Sequence, residues 1–396
     1  MIPRRAIAKD ICRRQHFHRN GKASSTCKPS NKRPFASSVA FSGTYDWSDP
    51  LQIKSQLHEE ERMVLQTAKA FARDKLQPHI IQANRHEEPL NKSLLRDMGC
   101  AGLLGMTIPK EYGGAGMNYV SYGLVAGEVE SVDSAFRSAL SVQSSLVMYP
   151  IYEYGSCDEL KKKYLPELAK GKLVGCFGLT EPNHGSDPSS MESTWYHDKG
   201  TNEYVLNGTK NWITNSPIAD VLIVWCRHMI TGEMRGFLVD RNECTGDLQT
   251  PSIKGKFSLR ANSTGMIIMN DVRVPEASMF KTVKGLKGPF GCLNHARYGI
   301  AWGALGAAGN SLDIAREYCL QRKQFGSPLA ANQLVQVKLA NMSTEIAIGR
   351  QSCLQVGRLM ELGRASPEMI SMIKRNSCAK SLDICRQARD MLGGKN

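Results

Sequence analysis

Apolar residues recur at helical spacing through residues 51–175. Leu57, Val64, Ala68 and Phe71 fall on one helix face. Ser55 is placed to cap that helix and Pro78 to end it. Leu94, Leu95 and Met98 form a shorter face stopped by Gly99. Gly113-Gly114-Ala115-Gly116 reads as a loop. Two further helices are predicted over 119–132 and from Ser134 into Tyr154. After Lys172 the texture changes to short, partly β-branched apolar runs, such as Val221–Trp225 and Met266–Met269, separated by turn formers such as Asn207-Gly208 and Thr231-Gly232. Helical spacing returns at Gly291 and continues to Arg322. Val335, Leu339, Met342 and Ile346 mark a packing seam, and Gly363 ends that helix. Ser366-Pro367 then opens another, running to Leu392.

The order is therefore helices, strands, then three long helices. It gives a multi-domain α+β fold with an α-helical domain over 47–175, a middle β domain over 176–286 and a C-terminal helical domain over 287–396. Three bundle helices leave one apolar stripe uncovered, so a fourth element is expected.

Composition changes this picture at one end. The net charge is +14, but residues 1–45 hold ten Lys/Arg and one acid, Asp10, leaving +5 for the rest. This Arg-rich, acid-poor leader reads as a mitochondrial transit peptide, against a plain basic tail, so a matrix location is expected. The remaining Lys/Arg are scattered, which argues against nucleic acid. No apolar run approaches the ~20 residues that span a bilayer. The 12 cysteines form no C-x-x-C, and their neighbours supply no zinc spacing. Reduced core thiols are expected, with no metal and no disulfides.

Candidate chemistry lies in two neighbouring segments. Phe177-Gly178-Leu179-Thr180-Glu181-Pro182-Asn183-His184-Gly185-Ser186-Asp187 is followed by Asn207-Gly208-Thr209-Lys210-Asn211-Trp212-Ile213-Thr214. Small residues and hydroxyls in the first let backbone approach an anion closely. Read alone, it is a phosphate loop or a polar domain-boundary loop, and the second is a strand with a core Trp.

Together the two segments resemble the flavin-binding signature of the acyl-CoA dehydrogenase family. The likeness covers residues 47–394 and is greatest to the branch that acts on glutaryl-CoA. Phe136–Ser145, Gly255–Arg260, Gly288–Asn294, Arg322–Gly326 and Ala388–Gly394 carry it as well. The resemblance implies a helical N-terminal domain, a β-barrel-like middle domain and a helical bundle missing its last helices. It implies FAD, enclosed by Phe177, Gly178, Leu179, Thr180, Gly185, Ser186, Trp212, Ile213 and Thr214. It also implies that Arg322, Phe325, Gln333, Asp390, Met391, Leu392, Gly393 and Gly394 reach the FAD of a neighbouring subunit, hence a homotetramer. Ser186, Phe290, Gly291, Cys292, Leu293, Asn294 and Arg297 are the implied acyl-CoA contacts, although Arg297 also reads as a solvated helix-end cation.

Arg137, with Glu130, Ser138 and Ser141, is implied to receive a distal carboxylate on the acyl chain. The alternative is a helix-surface pair with Asp133. Such a reaction needs a carboxylate base for the proton next to the thioester. In this branch that Glu is expected beyond Asn396, and the other place used in the family holds Ala296 here. No catalytic residue is therefore assigned, and an inactive, weakly stable chain is expected. The implied whole activity is oxidative decarboxylation of glutaryl-CoA to crotonyl-CoA in lysine, hydroxylysine and tryptophan breakdown, with electrons passing to electron-transfer flavoprotein. The rivals are a dehydrogenase of another short acyl-CoA and a non-catalytic FAD- or CoA-binding isoform.

Overall fold

The computed structural model describes residues 43–89 and 91–395. The basic leader, with Cys12 and Cys27, lies essentially outside them. Helices α1 (Ile53–Gln56), α2 (Glu59–Phe71), α3 (Gln77–His86), α4 (Lys92–Cys100), α5 (Tyr119–Val132), α6 (Ser134–Ser141), α7 (Tyr149–Tyr154) and α8 (Asp158–Ala169) come first.

Two local expectations are corrected. Ser55 lies inside α1, donating to the Gln52 carbonyl at 2.7 Å. The cap of α2 is His58, whose amide donates to Glu61 at 2.8 Å in a capping box. Nor does Pro78 end the first helix. A π-helical segment, Ala72–Leu76, carries α2 into α3, and the Gln77 amide reaches back to the Ala72 carbonyl. Pro78 then sits in the first turn of α3, where a missing donor is tolerated.

A second π-helical segment, Val142–Met148, joins α6 to α7 without a break. Gln143 explains how it is anchored. Its buried amide donates to the carbonyls of Leu168 and Leu173 at 2.9 and 2.8 Å and accepts from the Gly175 amide at 2.8 Å. One side chain thus satisfies three backbone groups where helix meets sheet. Ser144 accepts from the Gly105 amide at 3.0 Å. Ser145 donates to the Tyr122 hydroxyl at 2.8 Å, and that oxygen lies 3.0 Å from Ser141 Oγ.

The sheet comprises β1 (Gly175–Gly178), β2 (Thr194–Asp198), β3 (Glu203–Thr214), β4 (Val221–His228), β5 (Met234–Asp240), β6 (Thr245–Gln249) and β7 (Thr264–Pro275). Strand β4 has β1 and β2 parallel to it and β5 antiparallel. This explains its uninterrupted apolar run, since Val221 to Cys226 are all buried. β3 pairs antiparallel with β2 and β7, and β7 with β6. The path is an open half-barrel rather than a closed barrel.

Helix α9 (Lys287–Gln321), the short hairpin β8–β9 (Lys323–Gln324 and Ser327–Pro328), α10 (Gln333–Glu361) and α11 (Pro367–Leu392) complete the unit. Ser366 caps α11, accepting from the Met369 amide at 3.4 Å. Gly363, at φ 64°, follows the end of α10. Helices α5 and α9 approach very closely. A Cβ on Gly306 would lie 2.0 Å from the Gly127 carbonyl oxygen, and one on Gly303 1.9 Å from Glu130 Oε2. Leu334, Val337 and Ile348 of α10 and Met372 and Leu382 of α11 stay exposed. The ten described cysteines are free thiols. No described helix is long and apolar enough to cross a membrane.

Replacing Gln143 with Leu strips partners from three backbone groups at once. Each orphaned buried group costs about 1–3 kcal/mol, so urea unfolding of Gln143→Leu should show a loss of about 3 kcal/mol or more. A loss below about 1 kcal/mol would mean that water takes over these bonds.

Candidate functional site

The two signature segments meet through a buried ion pair. Lys210 Nζ lies 2.7 Å from Glu181 Oε1, with side-chain exposures of 0% and 2%. The same ammonium donates to the Leu179 carbonyl at 3.3 Å. Glu181 also accepts the amides of Glu192 and Ser193, at 2.5 and 2.9 Å. Burial pushes its carboxyl up, but the Lys210 charge and these amides outweigh burial and hold it below the usual range. The Asn211 amide then donates to the Thr180 carbonyl at 2.8 Å. The loop after β1 is thereby fastened to the end of β3.

At that end the β3–β7 register slips between Lys210 and Ile213. Trp212 occupies the irregularity at φ 60° and is 60% exposed. A bulky residue in the left-handed region is strained, and such strain persists where surrounding bonds impose it. Here the Asn211 side chain accepts the Trp212 amide at 2.9 Å. The bulge turns the indole out of the sheet and into a cleft.

The cleft has a volume of about 390 Å³. Phe177, Leu179, Thr180, Gly185, Ser186, Pro188, Trp212, Ile213 and Thr214 form one side. Val142 and Leu146 of the π-helical segment and Phe290, Leu293 and Arg297 of α9 form the other. The last three share one helix face. Arg297 is braced by Asn294, which accepts from its Nη1 at 2.9 Å. Thr214 Oγ1 accepts from Asn262 Nδ2 at 3.2 Å. Among the described residues, no carboxylate lines this cleft.

Other expected site residues lie elsewhere. Gly178 is buried behind the wall, and Cys292 is buried within α9 with its thiol on the Gly288 carbonyl. Gly291 packs under the Tyr154 hydroxyl. Ala296 is buried. Glu130, Arg137, Ser138 and Ser141 sit outside the lining, on α5 and α6. There Arg137 Nε donates to Glu130 Oε2 at 2.5 Å, and Ser134 donates to Glu130 Oε1 at 2.6 Å. Arg137 therefore pairs with Glu130 rather than Asp133, whose carboxylate caps α6 by accepting from the Ala135 amide.

The set implied for a neighbouring subunit forms a separate group. Arg322, Phe325 and Gln333 are exposed around the β8–β9 hairpin, and Asp390 pairs with Lys338. Met391 belongs to a buried cluster with Ile384 and Ala388, while Leu392 is half-buried and Gly393 and Gly394 are exposed.

Sequence reasoning missed Lys210, Asn262 and His295. Lys210 sat inside a quoted motif without a role, although a lone Lys in a buried strand asks for a buried anion. His295 lies between the rings of Tyr149 and Tyr119, with centroids 3.9 and 5.4 Å away. Burial holds its pKa down at about 4, so it is neutral at pH 7.

Three acyl-CoA dehydrogenase domains match in order: the N-terminal domain at residues 58–172, the middle domain at 176–272 and the C-terminal domain at 284–396. An acyl-CoA dehydrogenase of Bacillus subtilis (strain 168) is 34% identical, over 85% of this chain and 88% of its own. The chain belongs to the acyl-CoA dehydrogenase family. The mitochondrial short-chain specific acyl-CoA dehydrogenase of Mus musculus is 33% identical, over 86% of this chain and 82% of its own. The crystal structure of a glutaryl-CoA dehydrogenase from Mycobacterium smegmatis in complex with FADH2 superposes with a TM-score of 0.84. It is 40% identical and covers 89% of each chain.

FAD is the cofactor of this acyl-CoA dehydrogenase fold, and the cleft fits it. Trp212 offers a flat apolar wall. Thr180, Ser186 and Thr214 bring hydroxyls, and a Cβ at Gly185 would meet nothing within 4 Å, leaving the loop open to a ligand. Bound there, FAD supplies the acceptor for a hydride from the acyl chain.

Removing one partner of the buried pair leaves an uncompensated charge, a loss of about 3–5 kcal/mol. Lys210→Met should therefore destabilise strongly in urea unfolding and release FAD on gel filtration. Adding Glu181→Leu to it should restore much of the stability. An additive double variant would disprove the coupling. Because the Glu181 pKa is lowered, its contribution is present above its ordinary value of 4.5 and is lost as pH falls below that. Wild-type stability should fall across that interval more steeply than that of the double variant.

Proposed function

We propose that this acyl-CoA dehydrogenase is built for glutaryl-CoA. Oxidation would remove a proton from the carbon next to the thioester, a step that needs a base which the described cleft lining does not supply, and a hydride from the carbon beyond it. The new double bond, conjugated with the thioester, then accepts the electrons of the breaking C–C bond. Carbon dioxide departs, and a proton returns to the chain to give crotonyl-CoA. The flavin's two electrons would pass on to electron-transfer flavoprotein. The basic leader supports the mitochondrial matrix as the site of action. The exposed group around Arg322 and Gln333 supports a homotetramer.

The observation that carries the substrate assignment is Arg137. Its side chain is only 12% exposed, and its Nε is held by Glu130 at 2.5 Å. Its Nη1 and Nη2 meet no acceptor among the described residues. A guanidinium with a free pair of donors suits a carboxylate, and an uncharged acyl end offers those donors no acceptor. Helix α6, which carries Arg137, runs directly into the segment bearing the cleft residues Val142 and Leu146. A second reading, a shorter monocarboxylic acyl chain, draws support from the apolar character of those two residues.

Spectral titration of the flavin separates the two. A lost charged hydrogen bond of about 1.5–3 kcal/mol should weaken glutaryl-CoA binding roughly 10- to 150-fold in Arg137→Ala, with little change for butyryl-CoA. Equal effects on both ligands would favour the shorter chain. Since no carboxylate lines the cleft among the described residues, anaerobic glutaryl-CoA should shift the flavin bands of the 396-residue polypeptide without bleaching them. Bleaching would reveal a base outside the lining set.

A further inference from the structure

The segment Gly255–Arg260, prominent in the sequence, lines no part of the cleft, yet it is held firmly. Glu87, at φ 54° after α3, accepts the amides of Gly255 and Lys256 at 2.8 and 2.9 Å. Arg260 Nε donates to the Asn84 carbonyl at 2.7 Å, and its Nη1 to the Lys256 carbonyl at 2.8 Å. Lys256 Nζ donates to the Asn262 carbonyl at 3.2 Å, and the Asn262 amide donates to the Leu259 carbonyl at 2.9 Å. Asn262, 1% exposed, is what this scaffold holds in place.

The Asn262 side chain makes one bond among the described residues, from Nδ2 to Thr214 Oγ1 at 3.2 Å. Its own Oδ1 is buried without a partner. An orphaned buried oxygen is unfavourable, and its persistence calls for a reason. Thr214 supplies one. A hydroxyl has a single proton, and here its oxygen is engaged as an acceptor. The proton finds no acceptor among the described residues, and Thr214 lines the cleft.

We propose that Asn262 is a positioning residue that aims the Thr214 O–H into the cleft as a donor toward the bound flavin. A donor fixed before the charge arrives stabilises the reduced form more than the oxidised one. Without the Asn262 donor, the hydroxyl is free to rotate, and part of that preference is lost. The inference rests on the assignment of FAD to this cleft beside Thr214.

The test uses the FAD-loaded protein and reads the flavin midpoint potential and the FAD dissociation constants of both redox forms. Thr214→Val should lower the preference for reduced over oxidised flavin about tenfold, ~30 mV for a two-electron couple. Asn262→Asp, close in shape but an acceptor when ionised, and Asn262→Leu, without a donor, should each lower it in the same direction. The double variant Thr214→Val/Asn262→Leu should fall no further than Thr214→Val alone. If Thr214→Val leaves the potential unchanged, the flavin is not beside Thr214, and both the assignment and the inference fail. If Thr214→Val lowers the potential but the Asn262 variants match wild type, or the effects add, the positioning role is wrong and the assignment stands.

Discussion

The ion pair of Glu181 and Lys210 is the constraint on which the site depends. Two charges taken almost wholly out of water are tolerated only if their remaining bonding capacity is met. Here it is, by the carbonyl of Leu179 and the amides of Glu192 and Ser193. Every one of those partners belongs to the loop or its return. The loop therefore cannot detach from β3 without exposing a charge to an apolar interior. That linkage fixes where Thr180 and Ser186 stand relative to Trp212 and Thr214, and hence the shape of the cleft.

The opposite wall is held by neutral bonds instead. Gln143 ties the π-helical segment to the start of the sheet, and Tyr122 gathers the hydroxyls of Ser141 and Ser145. The widened helical turn alters which side chains face the cleft, presenting Val142 and Leu146 together. One wall is thus placed by charge and the other by amide and hydroxyl geometry. Acid weakens the first before it touches the second.

Periodicity was sufficient to locate α10 and α11, because their apolar stripes are long, and the texture of the chain marked α5, α9 and the strand-rich middle, although both of those helices are buried on nearly every side. It misread the start of α2 and the role of Pro78. Ser55 and Pro78 carry strong local preferences, but a capping box at His58 and a π turn before Pro78 satisfied the backbone in other ways. The signature segments placed one side of the cleft directly, since Phe177, Thr180, Ser186, Trp212 and Thr214 all reach it. The functions of Lys210 and Asn262 were not legible. Each acts on a residue distant in sequence, and neither spacing nor periodicity reports such a pairing. Arg137 and Glu130 were singled out together, but that they form an ion pair, leaving Asp133 to cap α6, emerged only once α5 and α6 were folded against each other.

The glycine contacts between α5 and α9 have a bearing on how this scaffold can change over generations. With Gly306 against the carbonyl of Gly127, the spacing of these helices is set at that point by main chain, while Gly303 faces the Glu130 carboxylate that pairs with Arg137. Even one added methyl group at Gly306 would wedge the helices apart, and one at Gly303 would press on the Glu130 carboxylate and disturb its pair with Arg137. Change is left to side chains such as Val142 and Leu146 in the cleft, exchanged within a frame of constant width. Diversity is thereby channelled into a handful of positions, while the distance between the two helices is inherited unchanged.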